Sequence, residues 1–355
     1  METFVPKGQR PPGVFPAHPR VIYKTKRKNL SHEGRIGRID RQETLDVFRA
    51  FSEGFHAHLP RLDPELGGYL HNHGFMPDKG ALYGLPNEAL DSYLSDFQAM
   101  ILPLANGLNL PATANRLLSW PLMRRVLPLA PRAGAWQRGR LQQITEGGDP
   151  TPGETLLARP AETAQGPVPA PNQNQDKHLA WHDRLPAPPD AARNSHAADR
   201  LFLRLPAGSD QAEVIRIALL CDPQGNRPTV LSAALLEAGS GFATTSGAPV
   251  TCRRIDPETG LAGPALRFLR DTIAAPETVD PRGRALPGWW PAVTALVSGL
   301  LRLPVWAVLQ ADVIEVDGQP LIIDLTDRLD AAALQVHGPI MGGETAVRFI
   351  REYGV

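Results

Sequence analysis

The strongest structural signal in this chain is a β-hairpin pattern near its C-terminus. Val305 to Val316 is rich in β-branched and apolar residues, and Leu321 to Leu325 repeats that character after Asp317-Gly318. An Asp-Gly pair between two apolar runs is typical of a tight hairpin turn. If the loop holds three residues, Asp312 lies directly opposite Asp324 on the same face of the sheet. The pattern therefore predicts that two carboxylates converge.

Two carboxylates at one point of a sheet need a positive charge nearby, because like charges directly opposite each other destabilise the pairing. A Mg²⁺ ion held by the acids and by nucleotide phosphates would supply that charge. Two alternatives stay open on spacing alone. The register could differ by one residue, or one Asp could pair with an arginine such as Arg216 or Arg328.

The rest of the chain predicts a mixed α+β fold. Apolar residues at helical spacing make the first third mainly helical, with patterns at 41–55, 88–100 and 112–126. Strand and helix patterns share the remainder. The expected strands are Leu201–Leu205, Val214–Cys221 and Thr229–Leu236, and the expected helices are Ala262–Ile273 and Trp290–Leu301.

Changes in composition divide the chain into three parts. Residues 1–40 form a basic arm, 41–146 a helical N-terminal region, and 147–355 the mixed region, with a Pro/Ala/Gln-rich flexible segment at 147–198. The apolar stretch Pro291 to Leu309 is interrupted by charge and proline. It is expected to be a buried helix running into a core strand, and no transmembrane segment is predicted.

The charge balance and the number of cysteines limit which binding partners and which cellular compartment are expected for this chain. Lys+Arg and Asp+Glu balance at 37 each, so no overall field favours nucleic acid. The basic arm predicts a solvated segment, with a weak contact to an anionic membrane surface or to a polyanionic glycan as the alternatives. Two cysteines make no disulfide framework, and the N-terminus lacks an apolar signal region, so a cytoplasmic protein is expected. His71 and His73 have no third ligand nearby and are interpreted as packing residues.

Several short motifs occur in an order that resembles a known family. They are Val214–Ile217 in a strand, the turn Ile255–Gly260, the tract Leu286–Trp290, the strand Leu309–Val313 and the strand Ile323–Thr326, with Asn115–Leu118 as a weaker match. Together they resemble the sugar-transfer-associated ATP-grasp family, which is related to alpha-L-glutamate ligases. The resemblance covers about residues 200–340 and makes the chain look like a divergent member.

The resemblance implies an ATP-grasp fold, in which two α+β subdomains hold ATP between antiparallel sheets. Asp312 and Asp324 would bind Mg²⁺, with Thr326 or Asp327 completing the shell. Arg216 would face the phosphates as the catalytic residue, and Arg159 would be a second phosphate ligand, where the family has Lys-Pro before a glycine run. Such ligases activate a carboxylate as an acyl phosphate for attack by an amine. The implied substrate is a small molecule or a glycan precursor in cell-surface polysaccharide biosynthesis.

Some residues at the implied site differ from the family pattern, and these differences indicate an alternative function. Asp324 and Thr326 stand where the family has Glu and Asn, and Ala161 to Gln165 lacks the glycines that let a backbone approach phosphate. The alternative is therefore a catalytically decayed ATP-grasp protein that binds a nucleotide, a glycan or a partner protein without turnover.

Overall fold

The first third of the chain is mainly helical in the computed structural model, as its apolar spacing predicts. The structure describes residues 41–58, 62–109, 115–137, 140–143, 146, 154–160, 179–180, 200–207, 209, 212–221, 228–238, 240, 247–302 and 306–353. The predicted basic arm lies outside these residues. So does most of the predicted flexible segment at 147–198.

Polar caps fix where the N-terminal helices begin. Asp63 accepts hydrogen bonds from the backbone N–H groups of Glu65 and Leu66, and Ser95 and Gln98 form a reciprocal capping box. That box splits the predicted helix at 88–100 in two. The helices are α1 Arg41–His58, α2 Pro64–Asn72, α3 Lys79–Tyr83, α4 Asp96–Ile101 and α5 Arg116–Met123, with 3₁₀ turns at Leu90–Ser92 and Leu102–Asn109.

A five-stranded antiparallel sheet follows the helices. Its strands are β1 Arg132–Gln137, β2 Arg140–Gln143, β3 Thr155–Pro160, β4 Leu179–Ala180 and β5 Arg200–Leu205, in the order β2-β1-β5-β3-β4. The predicted boundary between 146 and 147 falls inside this sheet. Within the predicted flexible segment, 155–160 and 179–180 are strands, because they pair with β5 and with each other.

The second sheet has eight strands and contains the hairpin. It comprises β6 Val214–Cys221, β7 Pro228–Leu236, β8 Pro249–Ile255, β9 Leu261–Leu269, β10 Glu277–Asp280, β11 Arg284–Ala285, β12 Val308–Val316 and β13 Gln319–Thr326. The order is β10-β9-β8-β7-β6-β12-β13, and β11 also pairs with β9. Helices α6 Trp289–Leu300, α7 Ala331–Gln335 and α8 Glu344–Tyr353 complete the chain. The strands predicted at 201–205, 214–221 and 229–236 are confirmed, as is the helix predicted at 290–301.

One sequence prediction is wrong: Ala262–Ile273 is not a helix but mostly the strand β9. A β-bulge contributes to the misreading, because the β8–β9 register shifts between Arg253 and Ile255 and so places Ala262 and Ala265 on the same face. Phe268 is buried on the opposite face, since no register shift separates it from Ala265. The buried residues therefore follow a three-residue spacing that resembles a helix. Pro264 lies at this bulge, a position where a strand tolerates proline.

The helical region and the eight-stranded sheet share one buried core, which extends from Phe51 to Ile350. Two buried amides join them. Asn106 accepts hydrogen bonds from the backbone N–H groups of Ala307 and Val308, and Gln335 exchanges two bonds with the backbone of Leu94. The predicted α+β fold class is confirmed. In the part of the chain that the structure describes, no helix combines the length and the apolar character needed to cross a membrane.

Candidate functional site

The predicted hairpin is formed by β12 and β13, and it brings Asp312 opposite Asp324 as expected. The turn holds two residues rather than three. Asp317 and Gly318 have φ of 52° and 74°, as a type I′ turn requires, and Val316 pairs with Gln319. A β-bulge between Asp312 and Val313 then shifts the register by one residue. The shorter turn and the bulge offset each other, so the two acids still meet.

Asp312 forms a buried ion pair with Arg216, which lies directly beside it on β6. Nε of Arg216 donates to Oδ1 of Asp312 at 2.8 Å, and Nη2 donates to Oδ2 at 2.6 Å. The third nitrogen, Nη1, donates to Asp330. Asp312 is 1% exposed and Arg216 7% exposed. This pairing is one of the alternatives that the sequence left open.

Asp324 is paired with a different arginine, Arg116 at the start of α5. Nε of Arg116 donates to Oδ1 of Asp324 at 2.7 Å, and Nη2 donates to Oδ2 at 3.0 Å, across 208 positions of sequence. The side chain of Asn115 caps α5 by accepting from the N–H of Leu117, which fixes where Arg116 projects from the helix. The bidentate geometry engages both carboxylate oxygens.

The remaining predicted site residues lie beside these pairs. The hydroxyl of Thr326 accepts a hydrogen bond of 3.1 Å from the backbone N–H of Arg328, and Asp327 is 1% exposed. Asp330 also receives a 2.7 Å bond from Arg270. The result is a charge network of four arginines and four aspartates, five of them buried and three half-buried. Its members are Arg116, Arg216, Arg270, Arg328, Asp312, Asp324, Asp327 and Asp330.

Electrostatics within the network keep both signs charged. Burial alone would lower the pKa of Arg216, but Asp312, assisted by Asp330 and Asp324, raises it above its usual value. Burial alone would raise the pKa of Asp330, yet Arg270 and Arg216 hold it well below the usual range. The formal charges cancel, and the arginines supply the positive charge that the converging acids require.

These residues do not fit a Mg²⁺ ion as they are arranged. Both oxygens of each hairpin carboxylate already accept a hydrogen bond from a guanidinium group. Mg²⁺ instead requires several oxygen ligands together with bound waters. Within the described ranges, no group of three or more His, Cys, Asp or Glu residues is placed to hold a metal ion. The predicted shell of Asp312, Asp324, Thr326 and Asp327 is instead a set of ion pairs and a backbone contact.

The two predicted phosphate ligands lie on different sheets. Arg216 is on β6, and all three of its guanidinium nitrogens donate to aspartates. Arg159 is on β3 of the five-stranded sheet, opposite Leu201. The side chain of Arg159 lies outside the described part of the structure. Each guanidinium nitrogen of Arg216 therefore already donates to an acid, and only the second N–H groups of Nη1 and Nη2 are left for a phosphate.

Sequence reasoning missed three members of the network. Arg116, Arg270 and Asp330 were not selected, because their contacts join parts of the chain that are far apart in sequence. Arg116 on α5 contacts β13, and Asp330 at the N-cap of α7 contacts both β6 and Arg270, which follows β9. One signal was available for Arg116, since it belongs to the Asn115–Leu118 motif. For Arg270 and Asp330, nothing local in the sequence marks the pairing.

A hollow of about 540 Å³ lies between the two sheets. The five-stranded sheet and its connections contribute Pro131, Glu154 and Arg204, and the hairpin contributes Val316 and Pro320. None of the predicted site residues lines it. Arg204 is engaged there by a bidentate ion pair with Glu154, both contacts at 2.9 Å. The volume falls within the range of small-molecule sites.

Two motifs behind the family resemblance meet in space. Asp256 accepts hydrogen bonds from the N–H of Glu258 and the hydroxyl of Thr259, which builds the turn between β8 and β9. Gly260 ends that turn with φ of 71°, and a Cβ there would lie 2.5 Å from Cδ1 of Trp289. Trp289 in turn donates to the carbonyl of Pro257 at 3.3 Å. These motifs serve packing.

The other candidate side chains are also structural. The ring of His71 stacks on Phe51 with centroids 5.5 Å apart, and His73 Nδ1 lies 2.8 Å from the carbonyl oxygen of Tyr69. Burial raises the pKa of the Cys252 thiol to about 12, which disfavours the thiolate form needed for nucleophilic attack.

No family model matches the chain, and no curated protein does. Among solved structures, an L-amino acid ligase from Bacillus licheniformis aligns with a TM-score of 0.35 and 12% identity over 67% of this chain. This chain spans 48% of that ligase's length. A D-alanine–D-alanine ligase from Bacillus anthracis complexed with ATP aligns at 0.35 and 11% identity, covering 70% of this chain and 68% of that one.

A further structure of the Bacillus anthracis ligase aligns at 0.33 and 10% identity, covering 79% of this chain and 82% of that one. Scores of this size do not assign the chain to a family. What is established is an α+β fold built on two antiparallel sheets, with a neutralised charge network on the C-terminal hairpin.

Proposed function

We propose that this chain is an ATP-grasp-related protein that binds its ligand without Mg²⁺-dependent turnover at the C-terminal hairpin. The proposal rests on the hydrogen bonds that Arg216 makes. This residue was predicted to face the phosphates, yet each of its guanidinium nitrogens donates to Asp312 or Asp330. A residue engaged in this way holds a sheet together instead of stabilising a transferring phosphoryl group.

The energetic cost of recruiting Arg216 supports this reading. Phosphoryl transfer depends on cations that are already aimed at the phosphate oxygens. Moving Arg216 would take the bidentate partner from the buried Asp312 and one of two partners from the half-buried Asp330, and breaking one buried pair costs about 3–5 kcal/mol. That is roughly two to four powers of ten in affinity, which a nucleotide would have to supply before any chemistry began.

The proposed ligand is ATP, because the family resemblance implies a nucleotide between antiparallel sheets. The hollow between the sheets has the volume of a small-molecule site, and none of the hairpin aspartates or their arginine partners lines it. A glycan precursor bound beside the nucleotide, a cytoplasmic location, and the absence of nucleic-acid partners belong to the same proposal.

A second candidate is an ATP- and Mg²⁺-dependent carboxylate–amine ligase, acting through an acyl phosphate on a precursor of cell-surface polysaccharide. The position of Asp312 directly opposite Asp324 favours it, since this is the arrangement that the resemblance implies for a metal pair. The ligase would need a state in which both arginines leave the hairpin acids.

Thermal unfolding with ATP separates the two candidates. For a non-catalytic binding protein, ATP raises Tm by the same amount with Mg²⁺ as with EDTA, and no ADP is released with amino-acid or sugar-acid substrates. Substrate-dependent ADP release that needs Mg²⁺ and is abolished by Asp312→Asn would establish the ligase instead. If ATP leaves Tm unchanged under both conditions, nucleotide binding is excluded.

A further inference from the structure

The contact between Arg116 and Asp324 has a consequence for metal binding that does not depend on any nucleotide. We propose that Arg116 is a built-in cation, carried by helix α5, which replaces a divalent metal ion on the hairpin. The protein then needs no metal at this position and binds none there.

The first argument is the geometry of the contact. Arg116 engages both oxygens of Asp324, at 2.7 Å and 3.0 Å. The side chains of Arg116 and Asp324 are 8% and 10% exposed. Mg²⁺ normally keeps several waters, so it would need space that the guanidinium group fills.

The second argument is charge. Asp324 lies directly opposite Asp312, and Asp327 also acts electrostatically on Arg116. Three acids at one place require compensation, and the family resemblance leads one to expect it from a metal ion. Here Arg216 on the neighbouring strand neutralises Asp312, while Arg116 arrives from outside the sheet to neutralise Asp324.

The third argument is that Arg116 is separable from the sheet. It belongs to α5 in the helical region, 208 positions before Asp324. Replacing it changes no residue of the hairpin and removes one positive charge from the network. The remaining three arginines cannot neutralise four aspartates, so the network carries a net negative charge. That charge would attract a small divalent cation, whereas the wild-type network is neutral.

The test compares Arg116→Gln with the wild-type chain in the absence of nucleotide. Electron paramagnetic resonance of added Mn²⁺ reports direct binding, and Tm is measured with and without Mg²⁺ at constant ionic strength. We expect the wild-type chain to show no saturable Mn²⁺ binding and no Mg²⁺-specific change in Tm. Arg116→Gln should unfold at a lower temperature, recover part of that loss with Mg²⁺, and bind Mn²⁺ saturably.

Arg204→Gln is the matched control. Arg204 is also a buried arginine in a bidentate pair, but its partner Glu154 precedes β3 and does not face a second aspartate as Asp324 does. This variant should lose stability without any recovery by Mg²⁺. In the double variant Arg116→Gln/Asp324→Asn, the response to Mg²⁺ should disappear, because the acid that attracts the ion is gone.

Two results would overturn the proposal. One is saturable Mn²⁺ binding by the wild-type chain that is lost in Asp324→Asn, since a metal would then already occupy the hairpin. The other is a folded Arg116→Gln that ignores both ions. If Arg116→Gln does not fold, the Mn²⁺ titrations of the wild-type chain and Asp324→Asn still decide whether the hairpin holds a metal. Because no nucleotide is present, these outcomes are independent of ATP binding.

Discussion

At the scale of single residues, the site is defined by which arginine each aspartate contacts. Sequence reasoning selected Asp312 and Asp324 correctly as a converging pair, because hairpin register follows from local patterning. It offered Arg216 as one possible partner. It could not find Arg116, since a contact across 208 positions depends on how a helix docks on the sheet. The two aspartates were therefore predictable from the sequence. Of the arginines that neutralise them, Arg216 was predictable and Arg116 was not.

Asp330 should make the free energy of unfolding depend on pH in the acidic range. Its folded pKa is held well below the usual value, with Arg270 and Arg216 outweighing the effect of burial. A depressed pKa contributes stability that is fully present above the unfolded value of about 4, and that is lost as pH falls towards the folded pKa. We expect Asp330→Asn to lower the free energy of unfolding at neutral pH by about 3 kcal/mol, because it removes the acid that pairs with both the buried Arg216 and the half-buried Arg270.

Urea unfolding at several pH values from about 7 to about 3 checks this. The difference between the wild-type chain and Asp330→Asn should shrink as the pH falls below about 4. Asp46→Asn is the control, because Asp46 forms an exposed pair with Arg49 and should change stability by less than about 1 kcal/mol. A difference that stays constant down to the lowest pH would contradict the role assigned to Asp330.

At the scale of elements, two β-bulges decided which sequence predictions held. The bulge after Asp312 compensates for a turn one residue shorter than expected, so the facing acids were predicted correctly from an incorrect loop length. In β9 a bulge together with burial on both faces of the strand gave a helical spacing of buried residues and a wrong prediction. Bulges are hard to read from sequence because they change the period of burial without changing residue type.

Gly260 and Gly318 form a natural comparison at this scale. Their φ values are 71° and 74°, so alanine is strained by about 1 kcal/mol at each. A Cβ at Gly318 meets nothing within 4 Å, whereas one at Gly260 lies 2.5 Å from Trp289. Overpacking adds about 1–3 kcal/mol, so Gly260→Ala should destabilise the protein clearly more than Gly318→Ala in urea unfolding. Equal losses would mean that Trp289 moves aside at little cost.

At the scale of the whole molecule, the helical region and the sheets are expected to unfold together. One continuous core runs through both, and buried amides cross between them at Asn106 and Gln335. The general α+β class was predictable from alternating patterns of apolar residues. The five-stranded sheet was not, because only its last strand, β5, matched a strand prediction and β3 falls in a segment whose composition suggested a loop.

Gln335→Ala tests this cooperativity. Gln335 is fully buried, and its amide pairs with both the N–H and the C=O of Leu94, at 2.9 Å and 2.7 Å. Removing it leaves two buried backbone groups unsatisfied, at about 1–3 kcal/mol each. We expect a loss of about 2–4 kcal/mol in urea unfolding, with circular dichroism and tryptophan fluorescence reporting the same midpoint.

Asn87→Ala is the matched amide control. Asn87 bonds to the nearby backbone of Tyr83, Gly84 and Ala89 and to the side chain of Tyr93, so its loss stays within the helical region and should cost about 1 kcal/mol. If Gln335→Ala separates the two probes into distinct transitions, the helical region unfolds on its own and the joint is weaker than its buried contacts indicate. A single shifted transition would instead mean that the helical region, which carries Arg116, is as stable as the sheet that carries Asp324. That is the condition under which a helix-borne guanidinium can serve as a permanent substitute for a metal ion.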